Sequence, residues 1–298
     1  MKLSGSRTAI AFTIESMSLR MLSFRGNTIE SWYNIPLSSN LAREGVISIP
    51  KGIASIMADT IQQNNLSKKS VVAAVPSTGS ITQTLNLPNV KKRNMQEIVQ
   101  REVKRAMPST HDNDLIYWQQ LPGDAIQKQR NQVYTLAVPR NTITSVVEAC
   151  HTAGLSIIGI ELKPFALTRA VNCTNGIIVH GDVDNIEIVI VDNGFPALFR
   201  SIPVRDITPN ADAASENLIR ELPFTIDYFN RTYHDSQLTI DTAIYFSGEL
   251  SLNPDIETQL AALTGREVIK SQTSLDCPPE FPQSQFLTTL GLMLRGKW

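Results

Sequence analysis

The sequence predicts an α/β protein with a duplicated architecture and a cleft between its two halves. Three strand-like apolar runs, at residues 176–181, 185–192 and 196–201, are joined by short turns. The dipeptide Asn193-Gly194 in the second turn is a strong hairpin signal. Residues 9–35 repeat this pattern in a weaker form, with three runs and two polar turns. A helical pattern follows each three-stranded meander, so we expect two related halves built from a sheet and helices.

The first half is predicted to contain a meander, a helix and a buried strand. Pro50 suits the first position of a helix that ends near Gln63, because apolar residues recur there at helical spacing. The run Val71–Val75 is continuously apolar and ends at Pro76, which is typical of a strand buried in a mixed sheet. The meander strands are expected at residues 9–14, 19–24 and 29–35.

A smaller module is predicted to interrupt the first half at about residues 80–153. Its order is strand, helix, strand, strand and helix, and its helix at 89–107 is apolar on one side and basic on the other. We place the first half, with this module, at residues 1–174. Its remaining elements are expected at residues 80–87, 115–121, 132–138, 141–153, 155–160 and 164–171.

The second half is predicted at residues 175–298, where helices and strands follow the meander. A long helix is expected at residues 211–233, with a break or kink at Pro223 because proline removes a helical hydrogen bond. Two short strands and two further helices are expected at residues 242–247, 267–270, 253–263 and 285–294.

The composition is that of a globular protein, since 42% of the 298 residues are hydrophobic and 18% are charged. The net charge of −1 provides no electrostatic basis for binding nucleic acid. The three cysteines are scattered and no cysteine or histidine pair has metal-ligand spacing, so we expect free thiols, a reducing compartment and no metal site. The N-terminus lacks the apolar core of a signal peptide, and no apolar run approaches the ~20 residues of a membrane span. These features predict a cytoplasmic protein.

Seven short motifs occur at residues 43–47 (REGVI), 74–76 (AVP), 85–88 (LNLP), 101–108 (REVKRAMP), 153–155 (AGL), 160–169 (IELKPFALTR) and 291–296 (GLMLRG). They occur in the order in which one family has them. The chain resembles the PilM family, the actin-like proteins of type IV pilus assembly, and their relatives in competence and MSHA-type pilus systems. The resemblance covers essentially the whole length. It implies an actin-like ATPase fold, which is a duplicated ribonuclease H-like fold, with a small α+β module inserted in the first half.

The resemblance also implies a nucleotide site in the cleft, where two hairpins turn toward the phosphates of ATP and an aspartate holds the hydrated Mg²⁺. Thr13 stands where the family has aspartate, and Glu15 stands where it has glycine. A carboxylate in this turn would repel phosphates. The segment that would cover the nucleotide is also shorter than the family implies. The positions that match nucleotide-binding residues of the family are Thr13, Glu15, Ser16, Asp182, Asp184 and Gly248.

These departures predict a pseudo-ATPase with a degenerate nucleotide site, no bound cofactor and no catalytic residues. The alternative is an active ATPase or kinase of the same fold that uses Asp182 or Asp184 with Mg²⁺. A filament-forming actin homologue is a third alternative. His180, beside the second turn, is expected to be a histidine with satisfied hydrogen bonds.

The partner implied by the resemblance is the cytoplasmic N-terminal tail of a PilN-like single-span inner-membrane protein. In the family this tail lies in a groove between the first meander domain and the inserted module. An extended tail could bind there through backbone hydrogen bonds. We therefore expect a scaffold that is peripheral to the inner membrane through its partner, and self-association is left open. The predicted groove residues are Pro76, Leu85, Leu87, Pro88 and Glu102.

Overall fold

The structure of the protein, a computed structural model, describes residues 8–66, 70–88, 92–121, 130–204, 210–233 and 236–295. The chain divides into two compact units. The larger unit consists of Met1–Thr78 and Thr144–Trp298, and the smaller unit is Gly79–Ile143. The boundary between two halves at residue 174 stays a prediction.

The elements alternate between strands and helices along most of the chain. The strands are β1 (Thr8–Glu15), β2 (Ser18–Arg25), β3 (Thr28–Pro36), β4 (Ala42–Arg43), β5 (Val46–Ile47), β6 (Ser70–Val75), β7 (Ile81–Pro88), β8 (Leu115–Gln120), β9 (Arg130–Val138), β10 (Ser156–Leu162), β11 (Gly176–Gly181), β12 (Asn185–Asp192), β13 (Phe195–Pro203), β14 (Ile244–Ser247) and β15 (Val268–Lys270). The helices are α1 (Pro50–Gln63), α2 (Lys92–Ala106), α3 (Arg140–Thr152), α4 (Lys163–Val171), α5 (Ala211–Thr232), α6 (Pro254–Thr264) and α7 (Leu287–Met293), with a 3-10 helix at Glu249–Leu252.

Two five-stranded sheets with the same topology form the larger unit. The first sheet has the order β3-β2-β1-β6-β10, and the second sheet has the order β13-β12-β11-β14-β15. In each sheet the three meander strands are antiparallel, and the two later strands run parallel to the first meander strand. A parallel neighbour needs a crossover connection, which contains α1 in the first sheet and α5 in the second. The duplicated α/β architecture is therefore confirmed.

The core on one face of the first sheet contains residues from both the N-terminal and the C-terminal parts of the chain. Alternate residues of the meander, such as Ala9 and Ala11 of β1, point to one face, as a strand period of two requires. The chain covers this face with Phe281, Phe286 and Leu290. The second sheet is covered in the same way by buried residues of α5 and α6.

In the smaller unit, α2 packs on a three-stranded sheet. The sheet order is β7-β9-β8, so β7 is an edge strand. Met95, Val99 and Val103 recur at helical spacing on α2 and are buried in one cluster with Leu85 and Leu87 of β7. The apolar side predicted for this helix is therefore its packing side.

Helix α5 is continuous through Pro223, so the break that was one of the two predicted outcomes does not occur. Leu222, Thr225 and Phe229 are fully buried on its inner side. Packing of this kind outweighs a local cost of about 3 kcal/mol for proline within a helix. Among the helices in the described ranges, none is long and apolar enough to cross a membrane.

Candidate functional site

Two hairpin turns, one from each sheet, meet at the centre of the larger unit. The turn between β1 and β2 consists of Ser16 and Met17, whose φ angles of 47° and 55° are those of a type I′ turn. Such a turn directs successive backbone N–H groups outward. The Ser16 N–H donates to Oδ1 of Asp184 at 3.2 Å, and the Met17 N–H donates to Oδ2 of the same carboxylate at 3.3 Å. Asp184 lies in the turn between β11 and β12. A carboxylate of the second hairpin therefore accepts the hydrogen bonds that the backbone amides of the first hairpin donate.

Asp182 forms a second link between the hairpins. Its Oδ1 accepts a hydrogen bond from the Ser16 hydroxyl at 2.7 Å and lies 3.3 Å from a guanidinium nitrogen of Arg20. The backbone N–H of Glu249, at the start of the 3-10 helix, donates to the same oxygen at 3.3 Å. The Asp182 carboxylate therefore joins three segments that are far apart in the sequence.

Glu15 is the last residue of β1, and its side chain is buried. Its Oε2 accepts a hydrogen bond from Arg20 at 2.8 Å. Its Oε1 accepts one from the hydroxyl of Thr288 at 2.7 Å and lies 3.3 Å from the ammonium of Lys163. Glu15 thus contacts groups from β2, α4 and α7, and it lies outside the two-residue turn in which the sequence had placed it.

His180 completes a buried ion-pair cluster, by which we mean Glu15, Arg20, Lys163, His180 and Asp182. Its Nδ1 lies 2.9 Å from the Ser247 hydroxyl, and its Nε2 lies 3.4 Å from Glu15 Oε1 and 3.4 Å from Asp182 Oδ2. Burial lowers the pKa of His180, but the two carboxylates more than reverse this effect and raise the pKa to about 9. The imidazole is therefore a cation at neutral pH.

Opposite charges also shift the other groups of the cluster toward their ionised forms. Burial raises the pKa of Glu15, and the charges of Lys163 and His180 outweigh burial and lower the pKa to about 2. In the same way, Arg20 and His180 hold the pKa of Asp182 well below its usual range despite burial. The five side chains are at most 2% exposed, and together they carry three positive and two negative charges.

Two more buried carboxylates, Asp184 and Glu187, flank the cluster. Glu187 on β12 accepts hydrogen bonds from the backbone N–H of Ser77 at 3.0 Å and from the Ser77 hydroxyl at 2.6 Å. These bonds tie the second sheet to the segment after β6. Burial raises the pKa of both carboxyl groups, and for Asp184 the charge of Asp182 raises it further.

The cluster contains two arrangements that are found in reactive sites. Ser247, His180 and Asp182 form a hydroxyl–imidazole–carboxylate chain, but all three are buried and an imidazolium cannot act as a general base. Glu15, His180 and Asp182 also place possible metal-ligand atoms within 4.8 Å of one another. Arg20 and Lys163 already neutralise these carboxylates, and a protonated His180 would repel a cation. The geometry is that of an ion-pair network.

Comparison with known proteins assigns the chain to a family. A family model described as type IV pilus assembly protein PilM matches residues 11–201. The chain belongs to this family. Among curated proteins, no sequence matches it significantly.

Solved structures of low sequence identity share the fold. The structure described as the PilM-PilN type IV pilus biogenesis complex is 20% identical, with a TM-score of 0.78 over 97% of this chain and 98% of that chain. A Bacteroides thetaiotaomicron protein described as having an actin-like ATPase fold is 9% identical, with a TM-score of 0.53 over 97% and 96% of the two chains. MreB 5 of Spiroplasma citri, bound to AMPPNP, is 9% identical, with a TM-score of 0.52 over 98% and 96%. The predicted actin-like fold is confirmed.

The structure brings together most of the positions that match nucleotide-binding residues of the family. Ser16 and Asp182 contact each other directly. Gly248 has a φ of +85°, and a Cβ atom there would lie 2.4 Å from the carbonyl oxygen of Gly181. The missing side chain at Gly248 therefore allows close approach of the β11 backbone. Thr13 is buried within β1, and its hydroxyl has no hydrogen-bond partner among the described residues.

The residues predicted to line the partner groove lie in both units. Pro76 is a buried residue of the larger unit, after β6. Leu85 and Leu87 point into the core of the smaller unit, whereas Thr84 and Asn86 between and beside them are exposed. Glu102 on α2 is partly exposed and lies 3.4 Å from Arg101. Pro88 ends β7, and its side chain lies outside the described part of the chain.

Sequence reasoning missed several members of the buried network. Arg20 and Glu187 had a usable signal, because each is a charged residue between two apolar neighbours in a strand. Lys163 and Thr288 had no such signal, since each lies near a helix start and contacts Glu15 only through the fold. Their contribution depends on long-range packing that local patterns do not encode.

Proposed function

We propose that the chain is an actin-like scaffold of a type IV pilus-type inner-membrane assembly platform, with a degenerate nucleotide site. In this proposal it is a cytoplasmic, non-catalytic protein that binds the cytoplasmic N-terminal tail of a PilN-like single-span membrane protein. The membrane protein would hold it at the inner membrane. Membership in the PilM family supports the pilus role.

The position of the Asp184 carboxylate is the main support for a degenerate nucleotide site. The resemblance to actin-like ATPases implies that in a working nucleotide site the backbone amides of the first hairpin would face a phosphate. Here the Ser16 and Met17 amides face Asp184 instead. A carboxylate is also an anion with two acceptor oxygens, so it satisfies the same donors. Because it is part of the chain, it competes with any free phosphate without having to bind from solution.

Electrostatics add to this competition. An incoming triphosphate would meet Asp184, Asp182 and Glu15 at the same point of the cleft. The cations that could offset its charge, Arg20 and Lys163, already contact carboxylates. Freeing them would leave buried charges without partners, which typically costs about 3–5 kcal/mol. We therefore expect no binding of Mg²⁺-ATP in the millimolar range.

Mg²⁺-ATP binding is best measured by calorimetry and by thermal shift on the full chain. A site occupied at about 100 times its dissociation constant would stabilise the fold by ~2.7 kcal/mol, which a melting curve resolves. The expected result is no heat and no shift. A clear shift that disappears in Asp182→Asn and Asp184→Asn variants would instead support the active ATPase or kinase.

Tail binding has a candidate surface in the smaller unit. Among the described residues, strand β7 pairs with β9 alone and is therefore an edge of its sheet. An edge strand can offer its backbone groups to an extended peptide. Thr84 and Asn86 are exposed side chains of β7, as is Gln83, whereas Leu85 and Leu87 are buried in the core. The structure described as the PilM-PilN complex supports the choice of partner.

The tail is tested by titrating the full chain with the N-terminal peptide of the PilN-like protein, with a scrambled peptide as control. We expect saturable binding that weakens at least tenfold in Thr84→Arg/Asn86→Arg and less in Glu102→Ala. Gln119→Arg, on the exposed part of β8 at the opposite edge, is the matched control and should bind normally. If the wild type does not bind the peptide, the proposed partner is wrong. If the two β7 substitutions leave the affinity for the peptide unchanged, the proposed binding position on β7 is wrong.

A further inference from the structure

The first hairpin turn has a backbone conformation that its residues disfavour. Ser16 and Met17 both have positive φ angles, of 47° and 55°. Residues other than glycine, asparagine and aspartate seldom have such angles, because their Cβ atom lies too close to the following carbonyl oxygen. The turn between β12 and β13 has positive φ angles at Asn193 and Gly194, which are the residues that such turns favour. The Ser16-Met17 turn therefore needs a contact outside its own hairpin to hold its shape.

The Asp184 carboxylate makes this contact. Each of its two oxygens accepts one backbone N–H of the turn, at 3.2 Å from Ser16 and at 3.3 Å from Met17. Two successive backbone amides that point at one anion form a nest, which is the arrangement that binds phosphate and other oxyanions in proteins. The nest depends on the positive φ angles of the turn, so the bound carboxylate stabilises that backbone conformation.

Asp184 belongs to the second sheet, so the same contact joins the two sheets of the larger unit. It lies in the turn between β11 and β12, 168 positions along the sequence from Ser16. Asp182, at the other end of that turn, accepts a hydrogen bond from the Ser16 hydroxyl at 2.7 Å. The second hairpin therefore binds both the backbone and a side chain of the first hairpin.

We propose that Asp184 is a built-in anionic ligand of the first hairpin, which holds the two sheets together in place of a ligand from solution. We call its contact with the Ser16 and Met17 amides the hairpin latch. The inference rests on the proposed degenerate nucleotide site and adds how that site is regulated. A free ligand stabilises a closed cleft only according to its concentration, whereas a carboxylate within the chain is always present. The arrangement of the two sheets, and partner binding with it, is therefore independent of the nucleotide concentration.

The latch can be tested by replacing the carboxylate with a free anion. Asp184 is 7% exposed, whereas Glu15 and Asp182 beside it are 1% exposed, so the nest lies next to solvent. Truncation of Asp184 to alanine would leave the three cations of the ion-pair cluster with three carboxylates, those of Glu15, Asp182 and Glu187. Such a site has no net charge that would repel an anion. Formate has the size and the charge of the group removed, so it is the probe for the emptied nest.

Thermal unfolding of the Asp184→Ala chain in sodium formate, compared with sodium chloride at the same ionic strength, measures this replacement. Formate at about ten times its dissociation constant should raise the melting temperature of the variant by about 3 °C. The wild type should not respond, because its nest is occupied. Leu260→Ala is the matched control, since it destabilises the core of the second sheet and leaves the hairpins unchanged. An equal rise in Leu260→Ala, or no rise in Asp184→Ala, would overturn the proposal.

Amide hydrogen exchange tests the latch at the two amides themselves. Exchange at Ser16 and Met17 should be at least tenfold faster in Asp184→Ala than in the wild type, and formate should slow it again. Asp184→Asn offers one acceptor oxygen instead of two, so one of the two amides should lose protection even if the alanine variant does not fold. The amides of Asn193 and Gly194, which bond Asn175 and Thr174 at the other end of β12, should not change. Unchanged exchange at Ser16 and Met17 in Asp184→Asn would refute the latch.

The latch and the degenerate nucleotide site fail in distinguishable ways. Binding of Mg²⁺-ATP to the wild type would refute the degenerate site and, with it, the independence from nucleotide. If the wild type does not bind Mg²⁺-ATP, the absence of a formate effect in Asp184→Ala would refute the latch alone.

Discussion

Replacing Arg20 with methionine tests whether the ion-pair cluster is closed to water, as its geometry implies. Methionine keeps the length of the apolar stem but removes every polar contact of the guanidinium. Those contacts are with Glu15 at 2.8 Å, Asp182 at 3.3 Å, the carbonyl oxygen of Gln285 at 2.6 Å and, at a longer distance of 4.0 Å, Glu249. Two buried carboxylates and one carbonyl would then lose a donor at once.

The expected loss of stability is large because no solvent replaces the missing charge. Arg20, Glu15 and Asp182 are each at most 1% exposed. Removing one partner of a buried ion pair typically costs about 3–5 kcal/mol. For a chain of this size, that loss lowers the melting temperature by roughly ten degrees.

Urea unfolding of Arg20→Met at pH 7 measures this loss, and a second substitution provides the control. Asp182→Asn keeps the acceptor oxygen at Oδ1 but removes the negative charge that Arg20 contacts in the wild type. We therefore expect Arg20→Met/Asp182→Asn to be more stable than the sum of its single variants by about 1–3 kcal/mol. A loss below ~1 kcal/mol in Arg20→Met, or strict additivity in the double variant, would show that water enters the cluster and would refute its closed state.

For two other perturbations, the structure determines whether the stability of the fold rises or falls. The folded pKa of His180, about 9, lies above its ordinary value of 6.5, so its stabilising charge is fully present below pH 6.5 and is lost as the pH rises through 9. The free energy of unfolding should therefore fall by on the order of 3 kcal/mol over that range in the wild type and stay level in His180→Gln, and parallel pH profiles would contradict this. Gly291→Ala should prevent stable folding, because its Cβ would lie 1.9 Å from the carbonyl oxygen of Ala166 where α7 crosses α4. A melting curve close to that of the wild type would show that the two helices can separate.

The sheets could be predicted from the sequence because their signals are local. The bounds of β11 and β12 match the prediction, since turn residues flank uninterrupted apolar runs. The start of α1 at Pro50 and its end at Gln63 were also predicted, because the proline and the apolar spacing agree.

The site could be predicted only in outline. The sequence indicated that the two hairpins lack the residues of a phosphate site, but it did not indicate that Asp184 would contact the amides of Ser16 and Met17. That contact joins residues about 170 positions apart, and no periodicity or turn signal connects them. The continuous α5 helix illustrates the same limit, because burial on its inner side overrides the local preference of Pro223.

The covering of the first sheet sets an order of events during synthesis. The last strand of this sheet ends at Leu162, but Phe281, Phe286 and Leu290, which cover its apolar face, are made much later. At about 5–20 residues per second, the roughly 120 residues between them take the ribosome about 6–24 s. During that time the sheet has formed strands with an uncovered apolar face. We therefore expect a nascent chain of this protein to bind chaperones that recognise exposed apolar strands, and the first sheet to reach its final stability only after α7 has left the exit tunnel.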